Sequence, residues 1–314
     1  MLYINYINTS IMANVVVMVW LKHLDAGFGD LLRGTMFLHK LSQQMNFKLI
    51  VDSQLHPVSQ FLVSQPHQYS TLVIQNESKI IKAINVDEQF IINLIWTHQR
   101  DCNPNPIFIT MNHSDNCNAS SDECKRFMRS LLIPNEEFKT ALNAMFMALK
   151  IPTNYSIIHF RLGDDELIKH VSKPNHYNDL LQIVDANLKT TPNLFIMTDS
   201  IQFKHYLKFA LHPMVHGRII PTVPIHLSQP NADIKMIKET LFDFMLLTNA
   251  RVIKTHSKYG WISGFVKWVS HIFDVPLINL KPECTKSKMN LSGSKPQPTQ
   301  PNTISFMKHM QRVM

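Results

Sequence analysis

The chain has 314 residues, of which 45% are hydrophobic, so it can bury a full core and, at about 100–200 residues per domain, suggests two domains. The formal net charge is +8, but residues 281–314 hold six Lys or Arg residues against one acid. A nucleic-acid-binding protein places its basic residues along one element or face of its fold, which excludes nucleic acid as a partner here. Four irregularly spaced cysteines are too few for a disulfide scaffold.

The first predicted element is a buried strand at residues 15–20, where the sequence is Val-Val-Val-Met-Val-Trp. A short, β-branched apolar run of this kind is typical of an interior strand. It is too short for a membrane span, which needs about 18 residues, and it lacks the basic flank of a signal peptide. We therefore expect a soluble protein with no signal peptide or transmembrane segment, either cytoplasmic or of undetermined compartment.

The remainder of the N-terminal half alternates strands with helices. The pattern predicts helices at residues 30–45, 58–63, 124–132 and 136–149, and further strands at 48–51, 71–74 and 107–110. Between the last strand and the next helix lies a polar loop, residues 112–124.

The C-terminal half alternates more regularly. Apolar strands are predicted at residues 155–160, 194–198, 218–221, 251–255 and 276–280, and helices between them at 177–188, 201–211, 234–248 and 261–273. Buried strands alternating with helices indicate a parallel sheet with helices on both faces. We expect an α/β protein with two Rossmann-like domains, residues 1–150 and 151–280, facing a cleft. Residues 281–314 are predicted to be a disordered basic tail.

Ligands of open parallel sheets bind beyond the carboxyl ends of the strands, and four loops stand out there. The first follows the first strand and contains Gly27, Phe28, Gly29 and Asp30, in a ten-residue stretch that holds three of the eight glycines. A glycine-bearing turn at a helix N-terminus exposes backbone N–H groups that attract phosphate. A tight turn without a ligand is the alternative interpretation.

The second loop ends the strand at residues 155–160. His159 and Arg161 are two residues apart, so they share one face of the strand, and Gly163 lets the backbone turn nearby. A guanidinium forks two hydrogen bonds to a phosphate, which favours a ligand role for Arg161. In the competing interpretation, Arg161 pairs with Asp164 or Asp165 to close the loop and His159 is a core residue.

Two later loops carry weaker signals. Thr198-Asp199-Ser200 follows a strand and, taken alone, is better explained as a helix N-cap than as a ligand contact. Asp243 interrupts an apolar helix, and His256, Ser257 and Lys258 precede the last predicted helix, where hydroxyl and amide donors suit a diphosphate.

These segments, in this order, resemble the superfamily of GDP-fucose-dependent fucosyltransferases, which includes nodulation-type α-1,6-, α-1,2- and protein O-fucosyltransferases. The resemblance is carried by GFGD at 27–30, KLIVD at 48–52, HFRLGD at 159–164, MTDS at 197–200 and DFMLLTNARVIKTHSKYG at 243–260. It spans roughly residues 14–280.

The resemblance implies a GT-B fold and an inverting, metal-independent transferase, with GDP-fucose as donor, a glycan hydroxyl as acceptor and no cofactor. Arg161 would stabilise the departing GDP, His159 and Asp243 would hold the nucleoside, and Ser257 with its neighbours would contact the diphosphate. The Gly27–Gly29 turn would lie across the cleft near the transferred sugar. The sequence contains no D-x-D motif, the usual sign of a metal-bound sugar nucleotide, so a cationic side chain must neutralise the leaving group.

The general base is expected to be Glu166 or Asp165, with Asp30 as a third candidate. Acceptor contacts are expected from residues 100–125 and 165–176. Many members of the superfamily carry a second arginine where this chain has Leu162, and its late serine pair is reduced to Ser257-Lys258. This leaves open a catalytically degenerate homologue that only binds nucleotide or glycan. A Rossmann oxidoreductase is the third hypothesis, disfavoured by the missing third-glycine spacing at Gly27–Gly34.

Overall fold

The computed structural model describes residues 14–22, 27–63, 67–75, 77–112, 121–163, 177–223, 225, 233–259 and 261–280. The prediction of a disordered tail beyond residue 280 concerns residues outside this set. The same is true of most of the polar loop at 112–124 and of the acceptor loop at 165–176.

The N-terminal half contains a four-stranded parallel sheet with strand order β2-β1-β4-β3. Its strands are β1 (Val15–Val19), β2 (Lys48–Asp52), β3 (Ile81–Ala83) and β4 (Ile107–Met111). The first strand is central and almost entirely buried, and its Val17 pairs with Ile50 on one side and Phe108 on the other. A strand enclosed on both edges and both faces has no need of alternating polar residues, which explains its uniformly apolar sequence.

Within the described residues, five α-helices accompany this sheet: α1 (Phe28–Met45), α2 (Ser70–Gln75), α3 (Glu88–Arg100), α4 (Asp122–Leu131) and α5 (Glu136–Ala148). The caps match the local sequence, because Asp87, Ser121 and Asn135 each accept a backbone N–H from the first turn of α3, α4 and α5. A short 3₁₀ helix, Pro57–Gln60, lies where the sequence predicted an α-helix at 58–63.

One N-terminal strand prediction is wrong. Residues 71–74 are helical within α2, and the sheet's third strand in the chain is β3. The Thr-Leu-Val-Ile run favours a strand by local propensity, but only Val73 of it is buried, so it has no place in the sheet interior. The strand β3 has only three residues, too few to produce a recognisable pattern.

The C-terminal half contains a second four-stranded parallel sheet, with strand order β6-β5-β7-β8. Its strands are β5 (Ser156–Arg161), β6 (Leu194–Thr198), β7 (Val252–Ser257) and β8 (Leu277–Asn279), and its α-helices are α6 (Tyr177–Thr190), α7 (Ile201–Ala210), α8 (Ile234–Thr248) and α9 (Gly264–Phe273). Where a strand was predicted at 218–221, a 3₁₀ helix, Pro213–Arg218, ends and Ile219 forms only a single parallel bridge to Ile196.

The two halves share one hydrophobic core. It runs from the faces of the first sheet through α1 to the buried side of α8 and α9. The ring of Phe28 makes edge-on contacts with Trp20 of the first half and with Phe244 of the second, with ring centroids 5.8 Å and 5.2 Å apart. A separate apolar cluster lies under α6 and α7.

At the C-terminus of α9, Arg129 on α4 donates to the carbonyl of Ile272 at 2.6 Å and to the carboxylate of Asp274 at 2.5 Å. Both sheets belong to one compact unit. The domain boundary near residue 150 stays a prediction. No helix in the described part of the chain has the length and apolar character needed to cross a membrane.

Candidate functional site

A cavity of about 540 Å³ lies between the N-terminus of α1 and the carboxyl edge of the second sheet. Eight of the residues predicted from the sequence line it: Gly27, Phe28, Gly29, Asp30, His159, Arg161, Asp199 and Asp243. They come from the start of α1, the end of β5, the residue after β6, and α8, and Gly27 and Asp243 are more than 200 positions apart in the chain. The fold therefore brings together at least one candidate residue from each of the four segments.

The guanidinium of Arg161 is bound to the carboxylate of Asp199, which follows the neighbouring strand β6. The parallel pairing of Phe160 with Thr198 sets the ends of the two strands side by side, and this places Arg161 next to Asp199. An ion pair of Arg161 was the competing interpretation of the sequence, although with Asp164 or Asp165. The side chain of Arg161 is nevertheless 16% exposed and lines the cavity.

Asp199 also holds the turn after β5. Its carboxylate accepts the backbone N–H of Leu162 at 2.8 Å and that of Gly163 at 3.2 Å. Burial raises the pKa of Asp199, and the positive charge of Arg161 opposes that shift. Three donors converging on one buried carboxylate fix both the backbone of this turn and the direction of the arginine.

The residue after Arg161 offers no charge to the cavity. Leu162 is buried in the apolar cluster under α6 and α7, on the other side of the turn. Leu162, where the sequence resemblance led us to look for a second arginine, is therefore a core residue.

His159 lies one pleat behind Arg161, buried and facing the cavity. Its Nδ1 is 3.5 Å from the hydroxyl of Thr255, and its ring stacks on Phe265 with centroids 6.4 Å apart. Burial, helped by the charges of Arg161 and Lys204, lowers the pKa of His159 to about 3. The imidazole is thus neutral at physiological pH and can both donate and accept one hydrogen bond.

Asp243 is a buried carboxylate on α8 at the cavity wall. Its Oδ1 accepts the hydroxyl of Thr222 at 2.8 Å, and the buried ammonium of Lys204 is bound to the carbonyl of that same Thr222. Burial raises the pKa of Asp243 to about 6, against the opposing charge of Lys204. A carboxylate held in this state at pH 7 is a strong hydrogen-bond acceptor for a ligand.

The N-terminus of α9 also opens on the cavity, through Ser263, Gly264 and Phe265. The first N–H groups of a helix lack partners within the helix and carry the positive end of its dipole, which suits an anion. The sequence placed this helix start at Trp261 and its anion contacts at His256, Ser257 and Lys258. The serine-glycine pair before the apolar run was the available signal for the later start.

His256, Ser257 and Lys258 are not among the residues that line the cavity. His256 pairs with Phe160 across the sheet, so it points to the face opposite His159 and Arg161. Ser257 accepts the backbone N–H of Tyr259 at 3.2 Å. The side chain of Lys258 packs on Gly163, where an added Cβ would lie 1.9 Å from its Cε.

At the opposite wall, Asp30 caps its own helix. One carboxylate oxygen accepts the N–H of Gly27 at 2.9 Å, and the other binds Arg33 at 2.8 Å. Gly29 approaches the start of α9 so closely that a Cβ there would be 3.1 Å from the carbonyl carbon of Gly264. The glycine turn is therefore needed for close contact between the two helix N-termini that face the cavity.

Three predicted residues, Asp164, Asp165 and Glu166, lie outside the described residues. The remaining cavity residues were assigned no role from the sequence; they are Met197, Thr198, Ile225, Thr240, Tyr259, Trp261, Ser263, Gly264 and Phe265. Most of these are apolar or sit at element ends, so their residue types alone carry no functional signal.

Comparison with protein-family models gave no match, and comparison with curated protein sequences gave none either. Comparison with solved structures gave several similar folds. Fucosyltransferase NodZ from Bradyrhizobium matches with a TM-score of 0.51 and 14% identity over 85% of this chain and 96% of that one. NodZ α-1,6-fucosyltransferase soaked with GDP-fucose matches with a TM-score of 0.50 and 14% identity, over 85% of this chain and 94% of that one.

A variant of FUT1 from Arabidopsis thaliana, in complex with GDP, matches with a TM-score of 0.50 and 12% identity over 85% of this chain and 70% of that one. At these identities the likeness concerns the fold. The chain therefore shares the two-sheet GT-B fold of these fucosyltransferases, which confirms the fold class that the sequence resemblance implied.

Proposed function

We propose that this protein is an inverting, metal-independent glycosyltransferase that transfers fucose from GDP-fucose to a hydroxyl of a glycan. One observation carries the proposal: the guanidinium of Arg161 and the N-terminus of α9 line the same cavity at the carboxyl edge of the second sheet. Two independent anion-binding features that face one cavity suit a diphosphate better than any neutral ligand.

In the proposed complex, the donor takes one orientation in the cavity. Asp243 can accept the two N–H groups on the edge of guanine, which adenine and uracil do not both present, and the neutral His159 can bond the base or the ribose. The diphosphate then reaches Arg161 and Gly264, and the fucose points toward Gly27 and Gly29. The GDP and GDP-fucose in two of the similar structures are consistent with this donor.

In the proposed reaction, an acceptor hydroxyl oxygen attacks the anomeric carbon of fucose from the face opposite the diphosphate. The new carbon–oxygen bond forms as the bond to the β-phosphate oxygen breaks, so the configuration inverts and GDP leaves with the bonding electrons. Arg161 and the α9 amides offset the charge that grows on the β-phosphate, an effect worth about 10²–10³ in kcat for a single donor.

The hydroxyl proton passes to a carboxylate base, for which Glu166 or Asp165 remains our first choice. A positioned base contributes roughly 10²–10⁴-fold. Asp30 is the weaker candidate, because its two oxygens already bind the N–H of Gly27 and the guanidinium of Arg33.

The proposal is tested by incubating the protein with GDP-fucose, GDP-mannose or UDP-galactose and measuring nucleoside diphosphate release with and without glycan. We expect GDP-fucose to be cleaved fastest, and EDTA to leave the rate unchanged because protein cations stabilise the leaving group. A rate that vanishes in EDTA and returns with Mg²⁺ would contradict metal independence. No cleavage of any donor, together with no GDP binding, would contradict the proposal as a whole.

A nucleotide-binding homologue without catalysis is the second candidate. It is favoured by the burial of Leu162 in the core and by the engagement of Arg161 with Asp199. This candidate predicts GDP binding in the absence of any donor cleavage, so the same experiment separates the two.

A further inference from the structure

An exposed aromatic surface borders the cavity at the loop before α9. Tyr259 and Trp261 stack face to face, with ring centroids 4.9 Å apart and planes only 9° from parallel. Both residues line the cavity, and Trp261 is 66% exposed. We call these two side chains the aromatic platform.

The position of Trp261 at the cavity sets it apart from the other exposed apolar residues. Among the large apolar side chains that the structure describes as exposed, Trp261 alone lines the cavity. A single exposed apolar side chain is ordinary on a protein surface, but a flat stacked aromatic pair that lines a cavity offers an apolar face that a ligand can cover.

Neighbouring residues hold the aromatic platform in position. The backbone N–H of Tyr259 bonds to Ser257, and the ammonium of Lys258 lies 5.4 Å from the centre of the Tyr259 ring. The Lys258 side chain itself occupies the space that Gly163 leaves open by having no Cβ, at a φ of 106°. The turn that carries Arg161 thus also supports the aromatic pair.

We propose that the aromatic platform binds a pyranose ring of the glycan acceptor. A flat indole face is complementary to the C–H face of a neutral sugar, and its exposed position at the mouth leaves the interior of the cavity for the donor. Asp243 and His159, the polar groups suited to a nucleoside, are both buried. This inference rests on the proposed function and adds to it the element that selects the acceptor.

The test compares wild type with Trp261→Ala and Trp261→Phe, and with Trp96→Ala as a matched control. Trp96 is also exposed, at 54%, but lies on α3 and does not line the cavity. Each fluorescently labelled protein is applied, with GDP present, to an array of immobilised neutral oligosaccharides, and its thermal stability is measured with and without GDP.

We expect wild type and Trp96→Ala to retain the same glycans. Trp261→Ala should lose at least tenfold in retention and Trp261→Phe about threefold, with the stabilisation by GDP equal in all four proteins. On a retained glycan, KM for the glycan should rise tenfold in Trp261→Ala, while donor hydrolysis without acceptor stays within twofold.

Three results would overturn the inference: equal retention by Trp261→Ala and wild type, no glycan retained by wild type, or a loss of GDP stabilisation in Trp261→Ala. The last would assign the platform to the donor. A wild-type protein that does not respond to GDP would instead contradict the proposed function, so the two failures are distinguishable.

Discussion

The ion pair between Arg161 and Asp199 gives the cavity a cation that is fixed before any ligand arrives. Asp199 is anchored by the N–H groups of Leu162 and Gly163, so the guanidinium does not have to be ordered by the ligand it binds. A guanidinium presents five N–H donors in a planar fork and can bind Asp199 and a phosphate oxygen together. This pre-organisation is what the proposed leaving-group role requires.

We expect Arg161→Lys to lower kcat for fucose transfer by about 10²–10³-fold while the melting temperature stays close to that of wild type. The lysine keeps a positive charge beside Asp199, whereas alanine would leave a buried carboxylate without its partner. Steady-state kinetics and a thermal melt check this. Arg100→Lys, at an exposed ion pair with Asp101, is the control and should leave both quantities unchanged. Wild-type turnover in Arg161→Lys would remove Arg161 from the mechanism.

The ionised carboxylate of Asp243 is expected to lower the free energy of unfolding and to be needed for GDP binding. Its pKa is raised by burial to about 6, so the folded protein binds a proton there more tightly than the unfolded chain, and stability falls as pH rises from about 4 to 6. We expect Asp243→Asn to be more stable than wild type at pH 7 by about 1–3 kcal/mol, at 1.36 kcal/mol per pKa unit. The difference in stability between Asp243→Asn and wild type should narrow as pH is lowered toward 4. We also expect GDP not to stabilise the Asp243→Asn protein.

Chemical denaturation across this pH range, with and without GDP, measures both effects. Asp101→Asn, at an exposed position, is the control and should change stability by less than about 0.5 kcal/mol at every pH. If Asp243→Asn binds GDP as wild type does, the nucleoside does not contact Asp243.

At the residue scale, Arg161 and Asp243, the charged residues that interrupt apolar elements, both line the cavity, while their functional roles stay predictions. His256 does not line it, because a one-residue step along a strand reverses the face on which a side chain lies. The partner of Arg161 was deducible in principle, since parallel pairing of β5 with β6 sets Asp199 beside it, but nearer acids at 164 and 165 competed for the assignment.

At the scale of the element, the close approach of helices to their neighbours depends on particular glycines. Gly34 on α1 packs against β4, where an added Cβ would lie 2.3 Å from the carbonyl oxygen of Met111. Because a backbone oxygen cannot rotate away, accommodating that methyl group would require the helix to move. The absence of a side chain at Gly34 therefore lets α1, which begins at the glycine turn and contains Asp30, pack directly against the first sheet.

We expect Gly34→Ala to lower the free energy of unfolding by about 1–3 kcal/mol through this overpacking. The matched control is Gly217→Ala, since nothing lies within 4 Å of a Cβ at Gly217. That variant should be neutral or slightly more stable, because alanine reduces the entropy of the unfolded chain. Denaturant titration of the two variants should give changes in the free energy of unfolding, relative to wild type, that are opposite in sign or clearly different in size. Equal shifts would show that α1 can move away from β4.

Most long elements were predictable because their patterns are strong. The helices α1 and α8 have apolar stripes with clear ends, the buried strands β1 and β6 are almost entirely apolar, and β5 has an apolar centre. The helix α3 was missed although Asp87 caps it and an apolar run follows. The three-residue strand β3 was not predictable, since its position is set by pairing with β4.

At the scale of the molecule, the cavity exists because α9 contacts both halves. Its N-terminus approaches Gly29 of α1, and beyond its C-terminus Asp274 binds Lys125 and Arg129 of α4. The two sheets were predictable from the alternation of strands and helices. Their mutual arrangement was not, because it depends on contacts between residues more than a hundred positions apart.

The central claim is that this cavity is a site for GDP and for nucleotide sugars that contain it. The most direct test is the thermal stability of the full chain with GDP, UDP, ADP or NAD, each in excess. We expect GDP to stabilise the protein most, by about 2.7 kcal/mol at one hundred times its Kd, and NAD to have no effect. Equal stabilisation by the other nucleotides, or no response to GDP, would contradict the account.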